Sequence, residues 1–442
     1  MATSRRKVLA AGTAGLALAG VGGGLLWKPR DVTRPHDAYF SALNDLLERE
    51  GPGHPVLLVD RSRMLRNVDV LARSVGREKT YRVVVKSLPS VPLLREVMGR
   101  AKTRALMVFH QPFLNVVARE FPDADVLLGK PMPVRAVRRF HAERATDPPG
   151  DFDAARQIQW LVDTPERLAE YRALARELGV HLRVNVEIDV GLHRGGLPEP
   201  AALRGILATN AADPGHLSLA GLMGYEPHLT GATSPDEPAV RDALAIYRGF
   251  VDVLRDAGHE PERLTLNGAG SHTLRLYERD GLMNDLSAGS GVVKPTDFDT
   301  ALLAENEPAL FIATPILKRY DELRAPAPKL ATDLMQWWDP NRRRLYFVYG
   351  GYWKARYVSP SGVPDALYHS TNQEPLSTST AVDLHPGDHV FLRPTQRGGG
   401  RASGGSLAGL LRRQRMSRSS SALPPLAAVL IDRLRSVAKA SR

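Results

Sequence analysis

Cysteine is absent from this 442-residue chain, which removes disulfides, thiolate metal sites and cysteine nucleophiles together. Acidic residues are missing from the first thirty positions, where Arg5, Arg6, Lys7, Lys28 and Arg30 stand unopposed. They are nearly missing from residues 397–442, where ten Arg and Lys face only Asp432. The formal charge of +11 therefore belongs to the ends, and the body from 31 to 396 is left at −3. A nucleic-acid surface needs its basic charge on the folded body, so nucleic acid is excluded as the main partner. A strongly apolar long run is also lacking. The uncharged stretch between Lys7 and Lys28 is rich in Ala and Gly, which is poor material for a stable spanning helix.

What is present suits a large globular body: 43% hydrophobic and 24% charged residues can bury a sizeable core. Ser4-Arg5-Arg6-Lys7-Val8-Leu9, followed by an Ala/Gly/Leu run to Leu26, has the form of a twin-arginine export signal. It predicts an exported or periplasmic protein. A chance Arg-Arg pair ahead of a signal anchor reads the same residues differently. Ala17-Leu18-Ala19 offers a cleavage site, whereas Trp27 and Lys28 suit an uncleaved anchor at a membrane interface. Membrane contact is expected through this segment alone.

The rest of the chain is arranged around Tyr81-Arg82-Val83-Val84-Val85-Lys86-Ser87. Its β-branched run predicts a strand buried on both faces, with Lys86 at its end, where desolvation lowers the pKa of an amine. A neutral lysine attacks a carbonyl to form a Schiff base, as lysines that hold pyridoxal phosphate do. Ahead of it, 36–50 reads as a helix, 55–60 as a strand and Ser62 as an N-cap for a helix to Val75. Strands follow at 82–86, 105–109, 125–128, 158–162, 182–188, 217–222, 263–268 and 284–288. The clearest helices between them cover 90–100, 132–145, 165–178, 199–212 and 237–257. Eight strands in β-α alternation predict a (β/α)8 barrel of the TIM type over 56–300.

Such barrels place chemistry in the loops that follow the strands, with phosphate held after the last two. Lys86 ends the first strand, Asp189 to Gly196 follows the fifth and Tyr225-Glu226-Pro227-His228 the sixth. Gly268-Ala269-Gly270-Ser271-His272-Thr273 and Gly289-Ser290-Gly291 follow the seventh and eighth. Glycine lets backbone N–H groups approach an anion, and Ser271, Thr273 and Ser290 add hydroxyl donors. Past residue 300 short strands at 344–349, 354–358 and 389–393 predict a smaller C-terminal β domain over 301–396, with 31–55 as lead helix and linker. Trp337, Trp338 and Trp353 read as packing within that domain. From 397 to 442 the composition turns to Gly, Ser and Arg, a basic tail with a possible helix from Leu423. A native tail and a shifted reading frame would both give this break.

Taken together, Val85-Lys86, the Glu187-Ile188-Asp189-Val190-Gly191-Leu192-His193-Arg194-Gly195-Gly196 stretch, the Tyr-Glu-Pro-His turn and the two glycine loops resemble the fold type III pyridoxal-phosphate enzymes. These include alanine racemase, D-threonine aldolase and D-serine dehydratase, and the resemblance covers roughly 50–395. It implies that Lys86 carries pyridoxal phosphate, that Arg194 contacts its phenolic oxygen, and that Gly270, Ser271, Gly289 and Ser290 lie near its phosphate. It also implies a homodimer acting on a small amino-acid substrate. Where alanine racemases set an arginine against the pyridine nitrogen, in Arg-Pro-Gly, this chain has Ser287-Ala288-Gly289. That departure fits lyase chemistry better than racemisation. The aldolase and dehydratase branch uses a divalent metal held by a late Pro-x-His-x-Cys pattern. Pro394-Thr395-Gln396-Arg397-Gly398 offers neither ligand, so the metal is either absent or its ligands were lost with a shifted frame.

The expected reaction is cleavage of a β-hydroxy D-amino acid to glycine and an aldehyde. His228 is the first candidate for the base, with His193 and His110 behind it, and Asp189 is expected to orient its loop. Racemisation or dehydration on the same scaffold is the alternative. A non-catalytic pyridoxal-phosphate-binding protein is a third, which the separate β domain argues against.

Overall fold

The computed structural model describes residues 28–146, 150–395 and 428–431. The export-signal expectation before Lys28 and nearly all of the basic tail lie outside these residues. The first strand, β1 (Val56–Asp60), stays out of the barrel. Eight later strands close it: β2 (Thr80–Val84), β3 (Ala105–Val108), β4 (Asp125–Leu128), β5 (Ile158–Val162), β6 (Leu182–Ile188), β7 (Leu217–Gly224), β8 (Thr265–Gly268) and β9 (Asp285–Ala288). Every pairing is parallel, and β9 returns to β2 through Thr80↔Asp285 and Val83↔Ala288. Short Val/Leu-rich runs covered on both faces produce such strands, and β3 and β5 are buried along their whole length.

Details differ from the sequence reading for identifiable reasons. The helix Arg61–Val75 is capped by Asp60, whose carboxylate accepts from the Arg63 N–H at 2.9 Å, and not by Ser62. A helix at Gln111–Glu120 escaped notice because His110 caps it, its Nδ1 accepting from the Phe113 N–H at 3.3 Å. His110 also stacks on Phe113, so its ring serves that helix end. Strand β2 stops at Val84, and Lys86 sits in a single 3-10 turn, Val85–Ser87.

The barrel interior contains a polar layer. Arg82 is 1% exposed, and its guanidinium donates to both oxygens of Asp285, at 2.9 and 2.7 Å, and to Asp125 at 2.5 Å. Burial opposes its charge, but the two carboxylates more than offset that and keep it protonated. Gln159 donates to Asp125 and Asn185 to Gln159, while Asn267 donates to Asp285 at 2.6 Å and to Ser287 at 2.8 Å.

Two compact units are present. The barrel unit is Val59–Leu310. The other runs to Leu58 and takes in Phe311–Pro394. Its core gathers Leu43 and Leu47 of the helix Ala38–Glu50, Val56 and Leu58 of β1, and Phe311, Ala313 and Phe391. Five further strands join β1 in its sheet: β10 (Leu310–Tyr320), β11 (Arg344–Tyr349), β12 (Ala355–Ser359), β13 (Gln373–Thr378) and β14 (His389–Pro394). The order is β12-β14-β10-β1, with β11 bridging β10 and β13. Sequence reading missed β10 and β13 because Pro315 and Pro375 interrupt them. In β10 the proline marks a change of partner, β14 up to Pro315 and β11 from Ile316 onward, where a missing N–H is tolerated. Residues Ala428–Ile431 form a strand, β15, beside β1. This replaces the helix expected there, since a short run with Val429 and Ile431 suits a sheet edge.

Candidate active site

All eight barrel strands send residues to one cavity of about 380 Å³ at their carboxyl ends, a size typical of a small-molecule site. Lys86 follows β2, Phe109 β3, Lys130 β4 and Asp163 β5. Glu187 and Arg194 come from β6 and its loop, Tyr225 follows β7, Gly270 to His272 follow β8, and Ser287 to Ser290 end β9.

The Lys86 side chain is open to water in the cavity while most of its surroundings are protein. Its Nζ lies 4.3 Å from the centre of the Phe109 ring. Burial lowers its pKa below that of a free lysine, and the charges of Arg194 and Lys130 lower it further. The amine is thereby brought toward its nucleophilic form. Arg194 lies over the Tyr225 ring, 5.2 Å from its centre. Glu187 also lines the cavity, and its carboxyl is raised above the ordinary range by burial, with Arg194 working the other way.

At the end formed by the last two loops, donors gather. Ser271 Oγ accepts from the Gly289 N–H at 3.1 Å and the Gly291 N–H at 2.9 Å, and the Ser87 and Ser290 hydroxyls are 2.9 Å apart. A Cβ on Gly289 would fall 2.7 Å from Val84 Cβ and 2.8 Å from Ser87 Oγ. Only glycine lets this backbone lie so close to the end of β2. Three hydroxyls at one end, those of Ser87, Ser271 and Ser290, with a lysine of lowered pKa in the same cavity, fit the phosphate and carbonyl ends of pyridoxal phosphate.

Of the residues expected from sequence, Lys86, Arg194, Gly270, Ser271, Gly289 and Ser290 line the cavity. Gly268, Thr273, His193 and His228 are not among its lining. Gly268 is pressed against Met283. The Thr273 hydroxyl accepts from the Gly270 N–H at 3.0 Å and donates to Glu226 at 2.7 Å, so it braces the loop and does not face an anion. His193 is exposed, with φ +54° and Nδ1 2.9 Å from Asp189. Asp189 accepts from the Gly191 and His193 N–H groups and so shapes the loop that presents Arg194, as expected. His228 is exposed beside Gly191, and burial lowers its pKa somewhat against the pull of Asp189.

Sequence reasoning passed over Lys130, Asp163, Glu187, Tyr225 and His272 as cavity residues, while Ser287, set in place of the racemase arginine, does line the cavity. Glu187 and Tyr225 stood inside the quoted motifs, and their places at strand ends were the available signal. Among the described residues no group of three or more His, Asp or Glu side chains gathers as a metal site.

The profile of the alanine racemase N-terminal domain matches residues 59–294. The chain belongs to this family. Its enzymes are pyridoxal-phosphate-dependent aldolases, racemases and dehydratases of fold type III. Within it, the chain is 31% identical over 166 residues to 3-hydroxy-D-aspartate aldolase of Paracoccus denitrificans, covering 35% of this chain and 42% of that one. It is 33% identical over 115 residues to alanine racemase of Corynebacterium glutamicum, 26% of this chain and 30% of that one. The matches thus span less than half the length of these relatives. D-threonine aldolase from Filomicrobium marinum shares the fold with a TM-score of 0.61 at 19% identity, over 77% of this chain and 86% of that one.

Proposed function

We propose that this protein is a pyridoxal-phosphate-dependent lyase that splits β-hydroxy D-amino acids into glycine and an aldehyde. The observation that carries this reading is Ser287: a neutral hydroxyl, accepting from Asn267, lines the cavity where the resemblance puts the arginine of racemases. When bound, pyridoxal phosphate supplies an electron sink next to the substrate's Cα. Lys86 binds it, Ser271, Ser290 and Ser87 hold its phosphate, and Arg194 orients it.

In the net reaction the Cα–Cβ bond breaks, the β-hydroxyl loses its proton as the aldehyde forms, and Cα gains one to give glycine. The hydroxyl proton is assigned to Glu187, since it lines the cavity with a raised pKa while His228 and His193 stand outside the lining. Glu187→Gln is expected to lower kcat by roughly 100-fold or more and to remove the acid limb of its pH profile, with His228→Asn retaining most activity. The reverse pattern returns the role to His228.

Identity to an alanine racemase keeps racemisation as the second reading. Incubation of the holoenzyme with D-threonine separates them by product. Glycine with acetaldehyde supports the lyase, whereas a keto acid with ammonia or an epimerised amino acid contradicts it.

A further inference from the structure

Lys86, Lys130 and Arg194 are the lysine and arginine side chains that line the cavity. Lys86 is given to the cofactor, and Arg194 lies over the Tyr225 ring with its charge acting on Glu187. Lys130 has no such engagement. Among the described residues it makes neither a hydrogen bond nor an ion pair, and Asp163, at the end of the adjacent strand β5, is not paired with it.

The backbone that presents Lys130 is held from both sides. The Gly129 N–H donates to the Val108 carbonyl at 2.9 Å, and a Cβ on Gly129 would fall 2.4 Å from the Phe109 ring. Glycine thus lets the end of β4 press against Phe109, whose ring centre is 4.3 Å from Lys86 Nζ. Beyond Pro131, the buried Tyr171 hydroxyl accepts from the Met132 N–H at 2.9 Å and donates to the Met132 carbonyl at 2.8 Å. Lys130 is therefore a cation on a fixed turn, near enough to Lys86 for its charge to act there. Strand β4 stands four strands around the barrel from β8, which puts Lys130 across the cavity from the Ser271 loop and away from the phosphate end.

We infer that the Lys130 ammonium receives the α-carboxylate of the substrate. An amino acid reacting at the Lys86 position brings its carboxylate into the range of this charge, where an ammonium without a partner supplies a charge-assisted hydrogen bond. With that substituent of Cα held, the orientation of the Cα–Cβ bond is set as well. The inference rests on the amino-acid chemistry proposed above, but not on cleavage as opposed to racemisation.

The test separates the carboxylate from every other effect of the charge. The holoenzyme, wild type and Lys130→Gln, is titrated with D-alanine and with D-alaninol, in which a hydroxymethyl group replaces the carboxylate, by the shift of the cofactor's visible absorption. Because Lys130 also acts on Lys86, a change common to both ligands reports that lysine, and the ratio of the two dissociation constants reports the carboxylate. A preference for D-alanine is expected in the wild type, falling by about 10- to 100-fold in Lys130→Gln and kept in part by Lys130→Arg. A ratio unchanged in Lys130→Gln overturns the inference and returns the carboxylate to Arg194, even where both ligands bind more weakly. Absence of a response to either ligand in the wild-type holoenzyme overturns the amino-acid reading itself, and the role of Lys130 falls with it.

Discussion

A lysine must shed its proton before it can attack a carbonyl, and the surroundings of Lys86 favour that by burial first and by the charges of Arg194 and Lys130 second. Glu226 shows the same physics in a carboxyl. It is 3% exposed, and burial raises its pKa to about 7 against the Thr273 hydroxyl and other donors. The folded state therefore keeps a proton that the unfolded chain releases near 4.5. Stability contributed by this group is present below that value and is lost as pH rises through about 7. Glu226→Gln is expected to gain on the wild type by up to roughly 3 kcal/mol between pH 5 and pH 8.5, read from urea unfolding at each pH. An unchanged difference would mean that Glu226 is charged in the fold throughout. None of this was legible in the sequence, where Glu226 was one residue of a family turn. Its burial comes from Thr273 and Tyr277, roughly fifty residues away in the chain.

At the scale of elements, the barrel was legible because each of its eight strands is a short apolar run between helices, and all eight fall within a few residues of their expected places. The loops were legible as positions but not as geometry. Thr273 and Ser271 look equivalent in the glycine loop, yet one hydroxyl is turned to Glu226 and the other to Gly289 and Gly291. Histidines suffered the same ambiguity: His110 caps a helix, and His228 sits outside the cavity lining. The proline-interrupted strands β10 and β13 were hidden for a different reason, since proline breaks the very pattern by which strands are recognised. The tight approach of Gly289 to Val84 and Ser87 gives a prediction for the last loop. Gly289→Ala forces the loop away from β2, and pyridoxal phosphate is expected to bind at least roughly tenfold more weakly, measured by equilibrium dialysis, with the fold retained. Unchanged binding would move the phosphate elsewhere.

For the molecule as a whole, the body is nearly neutral and the basic charge lies at its ends, so the net charge says nothing of the barrel, where the chemistry sits. The barrel itself is held partly by a buried ionic layer. Asp285→Ala leaves the Arg82 guanidinium buried without its bidentate partner. The expected cost is about 3–5 kcal/mol, seen as an earlier barrel transition in denaturant; a loss below about 1 kcal/mol would show that Asp125 suffices. The sequence displayed Arg82 inside the apolar run but gave no sign of its partners, which the closing of β9 onto β2 brings together. Lys86 is the residue assigned to bind pyridoxal phosphate, and that assignment is open to a chemical test. The purified protein and its Lys86→Ala variant are incubated with the cofactor, reduced with borohydride and digested, and the mass of the peptide containing residue 86 is determined. A cofactor adduct on Lys86 is expected in the wild type, with visible absorbance that the variant lacks. An adduct on Lys130, or none on either protein, would contradict it.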